Sequence, residues 1–353
     1  MIAEDKALSE LVGRLSECPR IALDTEADSL HCYFEKLCLI QVSAGDEHVL
    51  VDPLAGIDLQ PLYDVVCSRR LVFHGADYDL RLLRRAGHFE PVDLFDTMIA
   101  ARLSGKSALG LAALVEERFG VTLSKASQKA NWAIRPLPSI MVEYALNDTR
   151  YLFEIADNLE ADLHRLQRWE WFVESRDRMI ASTREVKERD ESTVWRISGS
   201  SALSPRAQAV LRALWFWRDT EAKGWDRPSF HVIGNEDLLR VASQVANGAP
   251  FSTPRMNGRR RKSFDVMIAL ALQIPESEWP QIEKVRRKRV SKEQVDRSEA
   301  LKKTRDRVAA ELALDPSIIA PRAALEATAA DENAPALMNW QRGLLGLAPI
   351  LTP

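Results

Sequence analysis

Three acidic clusters in the first 150 positions hold the side chains best able to do chemistry. Asp24-Thr25-Glu26 directly follows the apolar run Ile21-Ala22-Leu23. In a strand, residues two apart face the same side, so both carboxylates aim one way. His74-Gly75-Ala76-Asp77-Tyr78-Asp79 follows a second apolar run, Leu71-Val72-Phe73, and leads into the helical pattern Leu80, Leu82, Leu83. In Tyr144-Ala145-Leu146-Asn147-Asp148 the tyrosine and the last aspartate are four apart and share a helix face. That face continues through Met141, Ala145, Leu152 and Ile155, the stripe expected to be buried. A carboxylate on such a stripe needs an arginine or a cation beside it.

Each cluster alone has a plain structural explanation: a polar strand end, a helix cap, an internal salt bridge. Gathered into one cleft, four carboxylates repel by about 4 kcal/mol per pair at roughly 4 Å and an effective dielectric near 20. Only cations make that tolerable. A ligand set made wholly of oxygen suits Mg²⁺ or Mn²⁺ rather than zinc. Two such ions about 3.5–4 Å apart can activate a water and stabilise both oxygens of an in-line phosphodiester displacement.

The elements that must position these groups divide the chain. Short β-like runs at Ile21–Leu23, Cys38–Val42, Val49–Val51 and Leu71–Phe73 predict a mixed α/β sheet. The first three form a meander; the fourth follows a helix over 59–70 and is parallel to a neighbour. Ser139 is placed to N-cap a long helix to about Arg168, with a second helical stretch to about Arg189. Residues 188–204 read as a polar, Ser-rich linker. Ser204-Pro205 then opens a helix, Asn235 another, and further helices follow over about 262–273 and 293–314 and in the Ala/Leu-rich tail. The back of the chain is all-α.

Composition narrows the partners. Four cysteines (Cys18, Cys32, Cys38, Cys67) form no CxxC pair, and six histidines are scattered, which disfavours zinc or a disulfide framework. Reduced thiols, no apolar run near the roughly 20 residues of a membrane span, and no basic-then-apolar N-terminus give a cytoplasmic expectation with no membrane partner. No obligate protein partner is evident. Net charge is −3, but residues 1–197 hold 24 Lys and Arg against 33 Asp and Glu, a balance of −9. Residues 198–353 hold 24 against 18, or +6, and 255–310 holds 16 against 8, with runs at Arg259–Lys262 and Arg286–Arg289. An acidic front and a basic back suit a metal-binding catalytic domain plus a domain that grips a polyanion; a solvated helix face explains the basic stretch equally. Neutralising Arg286 to Arg289 should flatten the salt dependence of binding if the first reading holds.

Asp-x-Glu after a strand, Asp79 in the helix after a second strand, and Tyr-x-x-x-Asp on a later helix resemble, in order, the three motifs of the DEDDy 3′→5′ exonucleases, the group of ribonuclease D. The resemblance covers about residues 15–170. It implies a ribonuclease H-like mixed sheet over 1–195, with Asp24, Glu26, Asp79 and Asp148 as ligands of two Mg²⁺ or Mn²⁺ ions. Tyr144 would orient or help deprotonate the attacking water. Asp77 is the rival of Asp79, and Asp96 in Leu94-Phe95-Asp96-Thr97 is read as a helix cap. His74 would contact substrate or cap its helix. The loop Ser127-Gln128-Lys129-Ala130-Asn131-Trp132 with Arg135 is similar to the segment beside the ribonuclease D site. There Gln128, Lys129, Trp132 and Arg135 would bind a single-stranded 3′ end, with Trp132 equally suited to the core. Asn131 stands where the family pattern has an acid, and Ala27 where it has a larger residue. Residues 201–285 resemble an HRDC domain on Arg227-Pro228-Ser229-Phe230 and Asn235-Glu236-Asp237-Leu238-Leu239, and 290–353 a divergent second copy. The implied activity is stepwise hydrolysis of RNA from its 3′ end, releasing nucleoside 5′-monophosphates and trimming transfer or other structured RNA. A DNA exonuclease and an inactive RNA-binding or scaffolding protein are the alternatives.

Overall fold

The computed structural model describes residues 1–185, 189–252, 255–281 and 290–350. Helix α1 (Asp5–Leu15) precedes β1 (Arg20–Ala27), β2 (Leu37–Ala44) and β3 (Glu47–Val51). Then come α2 (Gln60–Cys67), β4 (Arg70–Phe73), α3 (Asp77–Ala86), β5 (Asp93–Asp96), α4 (Thr97–Leu103) and α5 (Leu111–Phe119). The five strands form one sheet in the order β3-β2-β1-β4-β5. β1, β2 and β3 pair antiparallel, as the expected meander, while β4 and β5 run parallel to β1. This is the mixed ribonuclease H-like arrangement. β2 is buried along its whole length, so its sequence is a near-continuous apolar run rather than an alternating one. β5 was not anticipated. Only Leu94 and Phe95 lie between its two aspartates, too short a stretch to show a period of two.

One sheet face carries Ile21, Leu23, Ile40, Val42, Leu71 and Phe73 against α1, α2 and α3. The other carries Ala22, Val72 and Phe95 against α4 and a helical segment that departs from expectation. Instead of one helix from 139 to about 168, the chain makes α6 (Ser139–Arg150) and α7 (Leu152–Arg165), followed by α8 (Trp169–Arg184). The break at Tyr151 (φ −100°, ψ −1°) has a packing cause. Met141 and Ala145 sit with Leu39, Leu50 and Trp132, whereas Leu152 and Ile155 pack over Ala22 and Val72. One straight stripe could not serve both places. Pro138, not Ser139, occupies the N-cap position, and its carbonyl accepts from the amides of Met141 and Val142.

The later chain forms α9 (Pro205–Trp225), α10 (Ser229–Val232), α11 (Asn235–Ala246) and α12 (Gly258–Leu272), then α13 (Lys292–Leu312), α14 (Pro316–Ile319), α15 (Arg322–Ala330) and α16 (Asn339–Leu344). The described chain divides into two compact units that cut across chain order. One contains the sheet, α1 to α8 and α13 to α16; the other contains residues 28–36 and α9 to α12. In the second, Ser204 caps α9 through the Ala207 amide as anticipated, and Leu211, Leu214, Leu238 and Phe264 form the core. Gly234 precedes α11 in the capping position, because the Asn235 side chain instead accepts from the buried Arg218. The segment 189–204 is irregular but not a free linker: Trp195 is only 2% exposed in this core, and Val194 and Ile197 pack on it. The tail is tied to the sheet unit through α8. Trp340 stacks on Trp171 at 4.8 Å, Glu174 accepts from the amides of Asn339 and Trp340, and Arg168 donates to the carbonyls of Leu103 and Leu312. All four cysteines are free, and no described helix is long and apolar enough to cross a membrane.

Candidate active site

Register places the first two carboxylates. Asp24 lies directly opposite Gln41 on β2, and Glu26 opposite Leu39. Opposed residues of an antiparallel pair share a face, and Leu39 packs on Met141 and Ala145 of α6. Asp24 and Glu26 therefore project beneath α6. That helix is anchored one step further along β2, where the Ser43 and Thr149 hydroxyls meet at 2.7 Å. Asp148, next to Thr149, is thereby aimed at β1. Carboxylate oxygens of Asp24, Glu26 and Asp148 all lie within 4.8 Å of one another.

The fourth carboxylate arrives from the opposite side of the sheet. The β1–β4 pairing extends to Ala22 and Val72, and β4 ends at Phe73, so Asp24 to Glu26 run past it. The first turn of α3 takes up the vacant edge. Thr25 donates to Asp79 through its hydroxyl at 2.5 Å and also through its backbone amide. Asp79 is 6% exposed and stands at the rim of the other three.

The electrostatics are those of four desolvated carboxylates crowded together. Burial first, then Asp79, Asp148 and Glu26, holds the Asp24 carboxyl well above the ordinary range. Burial followed by Asp148 and Asp79 pushes Glu26 up to about 9. Burial followed by Asp79 raises Asp148 to about 7. Asp79 reaches only about 6, because the Thr25 hydrogen bonds oppose the effect of burial. Among the described residues no arginine or lysine figures among the causes of these shifts. A charge-dense donor set made wholly of carboxylate oxygens fits a hard divalent ion.

Tyr144 lies one helical turn before Asp148 on α6. Burial, then Asp148, Glu26 and Asp24, drives its hydroxyl above its ordinary pKa, so the phenol keeps its proton at neutral pH. Its ring rests on Trp132 at 5.9 Å. Two expected substrate contacts, Trp132 and Arg135, are committed elsewhere in the fold. Trp132 is 1% exposed in the Leu39–Met141–Ala145 cluster, so it supports Tyr144 from behind and offers no face to a base. Arg135 is fully engaged: it grips the buried Asp52 with two hydrogen bonds of 2.6 Å and donates to the carbonyls of Cys38, Trp132 and Ile134. Burial would raise Asp52, but Arg135 holds it below the usual range. This arginine fixes the loop to β2 and leaves no donor for phosphate. Gln128 and Lys129 are exposed on the same loop.

At the end of β4, Thr97 donates its hydroxyl to the Phe73 carbonyl, so it must accept from His74 Nδ1, 2.9 Å away. His74 Nε2 is left as a buried acceptor with no partner, and burial lowers the ring's pKa, keeping it neutral. Asp96 is the cap anticipated from the sequence, taking the amides of Met98 and Ile99 as well as those of Gly75 and Ala76. Asp77 is exposed and pairs with Arg81, outside the cluster. A separate cavity of about 1130 Å³, lined among others by Asp77, Met98, Arg102, Arg178 and Trp340, includes none of the four carboxylates. Nothing in the residue pattern marks Thr25 as the holder of Asp79, or Gln41 as the cross-strand neighbour of Asp24. Both sit inside runs read only for their neighbours.

A ribonuclease H-like sheet with a carboxylate cluster at the overhanging end of its central strand defines a 3′–5′ exonuclease domain, and residues 1–164 match the family model described as 3'-5' exonuclease. The chain is 32% identical to ribonuclease D of Xanthomonas oryzae pv. oryzae, over 96% of its own length and 94% of the relative's. Escherichia coli RNase D, an exoribonuclease involved in structured RNA processing, superposes with a TM-score of 0.69 at 26% identity, over 93% of this chain and 89% of that one. The catalytic core of RRP6 from Trypanosoma brucei gives 0.66 at 27% identity, over 77% and 79%. The chain belongs to the ribonuclease D family and is a hydrolytic 3′→5′ exoribonuclease.

Proposed function

We propose that this chain shortens structured RNA one nucleotide at a time from a single-stranded 3′ end, with Asp24, Glu26, Asp79 and Asp148 holding two Mg²⁺ or Mn²⁺ ions. The observation that carries this reading is the approach of Asp24, Glu26 and Asp148 within 4.8 Å, with Asp79 held at their edge by Thr25. When bound, the ions supply water activation and neutralise charge developing on the phosphodiester, so the products are nucleoside 5′-monophosphates. The chain's own groups do the positioning. β1 fixes two carboxylates by strand geometry, α6 delivers Asp148 and Tyr144 together, and α3 adds Asp79.

Tyr144 orients the attacking water as a hydrogen-bond donor, its phenol lying one helical turn from Asp148. Tyr144→Phe is expected to lower kcat by about 10- to 100-fold, the scale of one hydrogen bond to a charged reacting group. KM should stay within about threefold, and the shape of the pH–rate profile should not change. Loss of the basic-side dependence in the variant would instead make Tyr144 the proton acceptor. His74 Nε2, Gln128 and Lys129 contact the terminal nucleotide in this reading, His74 as an acceptor for a ribose hydroxyl.

Residues 201–285 serve as an HRDC-type nucleic-acid-binding module and 290–353 as its divergent counterpart. The basic stretch contributes less than its count suggests. Arg260 is buried over the Trp225 ring and shares Glu221 with Arg259, and Arg261 pairs with Asp265. Arg286 to Arg289 lie outside the described residues. Free thiols are consistent with action in the cytoplasm, on transfer-RNA precursors or similar transcripts.

The test is a hairpin carrying a single-stranded 3′ tail, made as RNA and as DNA of identical sequence, with Mg²⁺ or Mn²⁺ titrated. Wild type should shorten the RNA tail stepwise and stop in chelator. Equal attack on DNA favours the DNA-exonuclease alternative, and binding without shortening at any metal concentration favours an RNA-binding protein.

A further inference from the structure

Gln41 is a buried amide with nothing to hold. It is 0% exposed, and neither its Nε2 nor its Oε1 has a hydrogen-bond partner. Native interiors rarely leave both ends of an amide unsatisfied, and such a group calls for a specific explanation. Its position supplies one. Gln41 lies directly across the β1–β2 ladder from Asp24, on the same face. On that face its neighbours two residues away are Leu39, packed on α6, and Ser43, bonded to Thr149 of α6. The amide is therefore enclosed between β2, Asp24 and the helix that presents Asp148.

We infer that Gln41 is a positioning residue for Asp24, donating from Nε2 to the carboxylate oxygen that faces away from the cations. A carboxylate that holds a divalent ion gains from a neutral donor on its rear oxygen, which fixes its rotamer without competing for the metal as a lysine or arginine would. A glutamine suits the place because it adds no charge to four carboxylates already crowded together. This inference rests on the metal-site reading proposed above.

The experiment measures Mn²⁺ affinity by calorimetry on the full-length protein without RNA, together with metal-free Tm and the metal dependence of kcat. Two variants are used, Gln41→Met, which keeps the shape, and Gln41→Leu. Loss of a group that orients a metal ligand weakens affinity by about 10- to 100-fold. Both variants should bind Mn²⁺ about tenfold or more weakly, and the metal concentration giving half-maximal rate should rise by the same factor. At saturating metal kcat should fall less than about threefold. The metal-free Tm should equal or exceed that of wild type, since an unpaired amide has been removed. Unchanged Mn²⁺ affinity overturns the inference, and so does failure of both variants to fold or a clear drop in their metal-free Tm, which would make the amide structural. Wild-type protein that binds no Mn²⁺ refutes the metal site itself, a different result from wild-type binding that the variants share.

Discussion

Asp24→Asn is expected to lower the rate of RNA shortening by about a thousandfold or more while leaving RNA binding within a few fold of wild type. The side chain keeps its shape and loses the charge around which the cluster is built. Burial, and then Asp79, Asp148 and Glu26, all disfavour the ionised form of Asp24. Its ionisation therefore depends on a cation, and its loss weakens cation binding. Metal stabilisation of developing charge supplies several kcal/mol, and roughly 1.4 kcal/mol corresponds to a factor of ten in rate. The informative control is Asp77→Asn. Asp77 is two residues from Asp79 in the same motif, but it is exposed and paired with Arg81, so its loss should change the rate less than about twofold. Single-turnover rates at saturating RNA, with binding measured separately, make the comparison. Residual activity above a tenth of wild type in Asp24→Asn would remove the carboxylate from the reaction. A large effect at Asp77 would place Asp77, rather than Asp79, among the metal ligands.

How much of this site could be read from the chain depends on whether a residue's role is set by local or by distant partners. Asp24 and Glu26 were legible because strand alternation alone puts them on one face, and Tyr144 and Asp148 because a helical turn does the same. Asp96 was legible as a cap because the amides that donate to it lie two and three residues ahead. Trp132 and Arg135 were misjudged for the opposite reason. A tryptophan and an arginine in a loop look like a base platform and a phosphate grip. Their commitments are to Tyr144, Asp52 and the Cys38 carbonyl, between 12 and 97 positions away in sequence. The break between α6 and α7 was hidden because Met141, Ala145, Leu152 and Ile155 keep helical spacing across it; only the two destinations of those side chains reveal it. The segment 189–204 looked like a linker from its serines, yet Trp195 anchors it. Gln41 and Thr25 were invisible, since a polar residue in an apolar strand means nothing until its cross-strand neighbour is known.

Metal-free protein should lose stability as pH rises from about 4 to about 9, and divalent ions should restore it most at the alkaline end. The four carboxylates all have folded-state values above their ordinary ones: Asp79 about 6, Asp148 about 7, Glu26 about 9, and Asp24 well raised. At these four sites the folded state thus holds more protons than the unfolded chain throughout that interval. Stability is complete below the unfolded values near 4 and declines as each group is forced to ionise. Divalent ions take over the role of the protons, so Mg²⁺ or Mn²⁺ should raise Tm little at pH 5 and by several degrees at pH 8. At a free-ion concentration 100 times Kd the stabilisation is about 2.7 kcal/mol. Asp24→Asn removes one charge from the cluster. Its metal-free form should exceed wild type slightly at pH 5 and by more at pH 8, and respond weakly to metal at either. Because the comparison is between two proteins differing in one atom group, carboxylates elsewhere that titrate in the other direction, such as Asp28 and Asp52, cancel. A variant less stable than wild type at pH 8 without metal would show that Asp24 is satisfied by the protein alone, and the crowding of charge that makes this cleft a metal site would not exist.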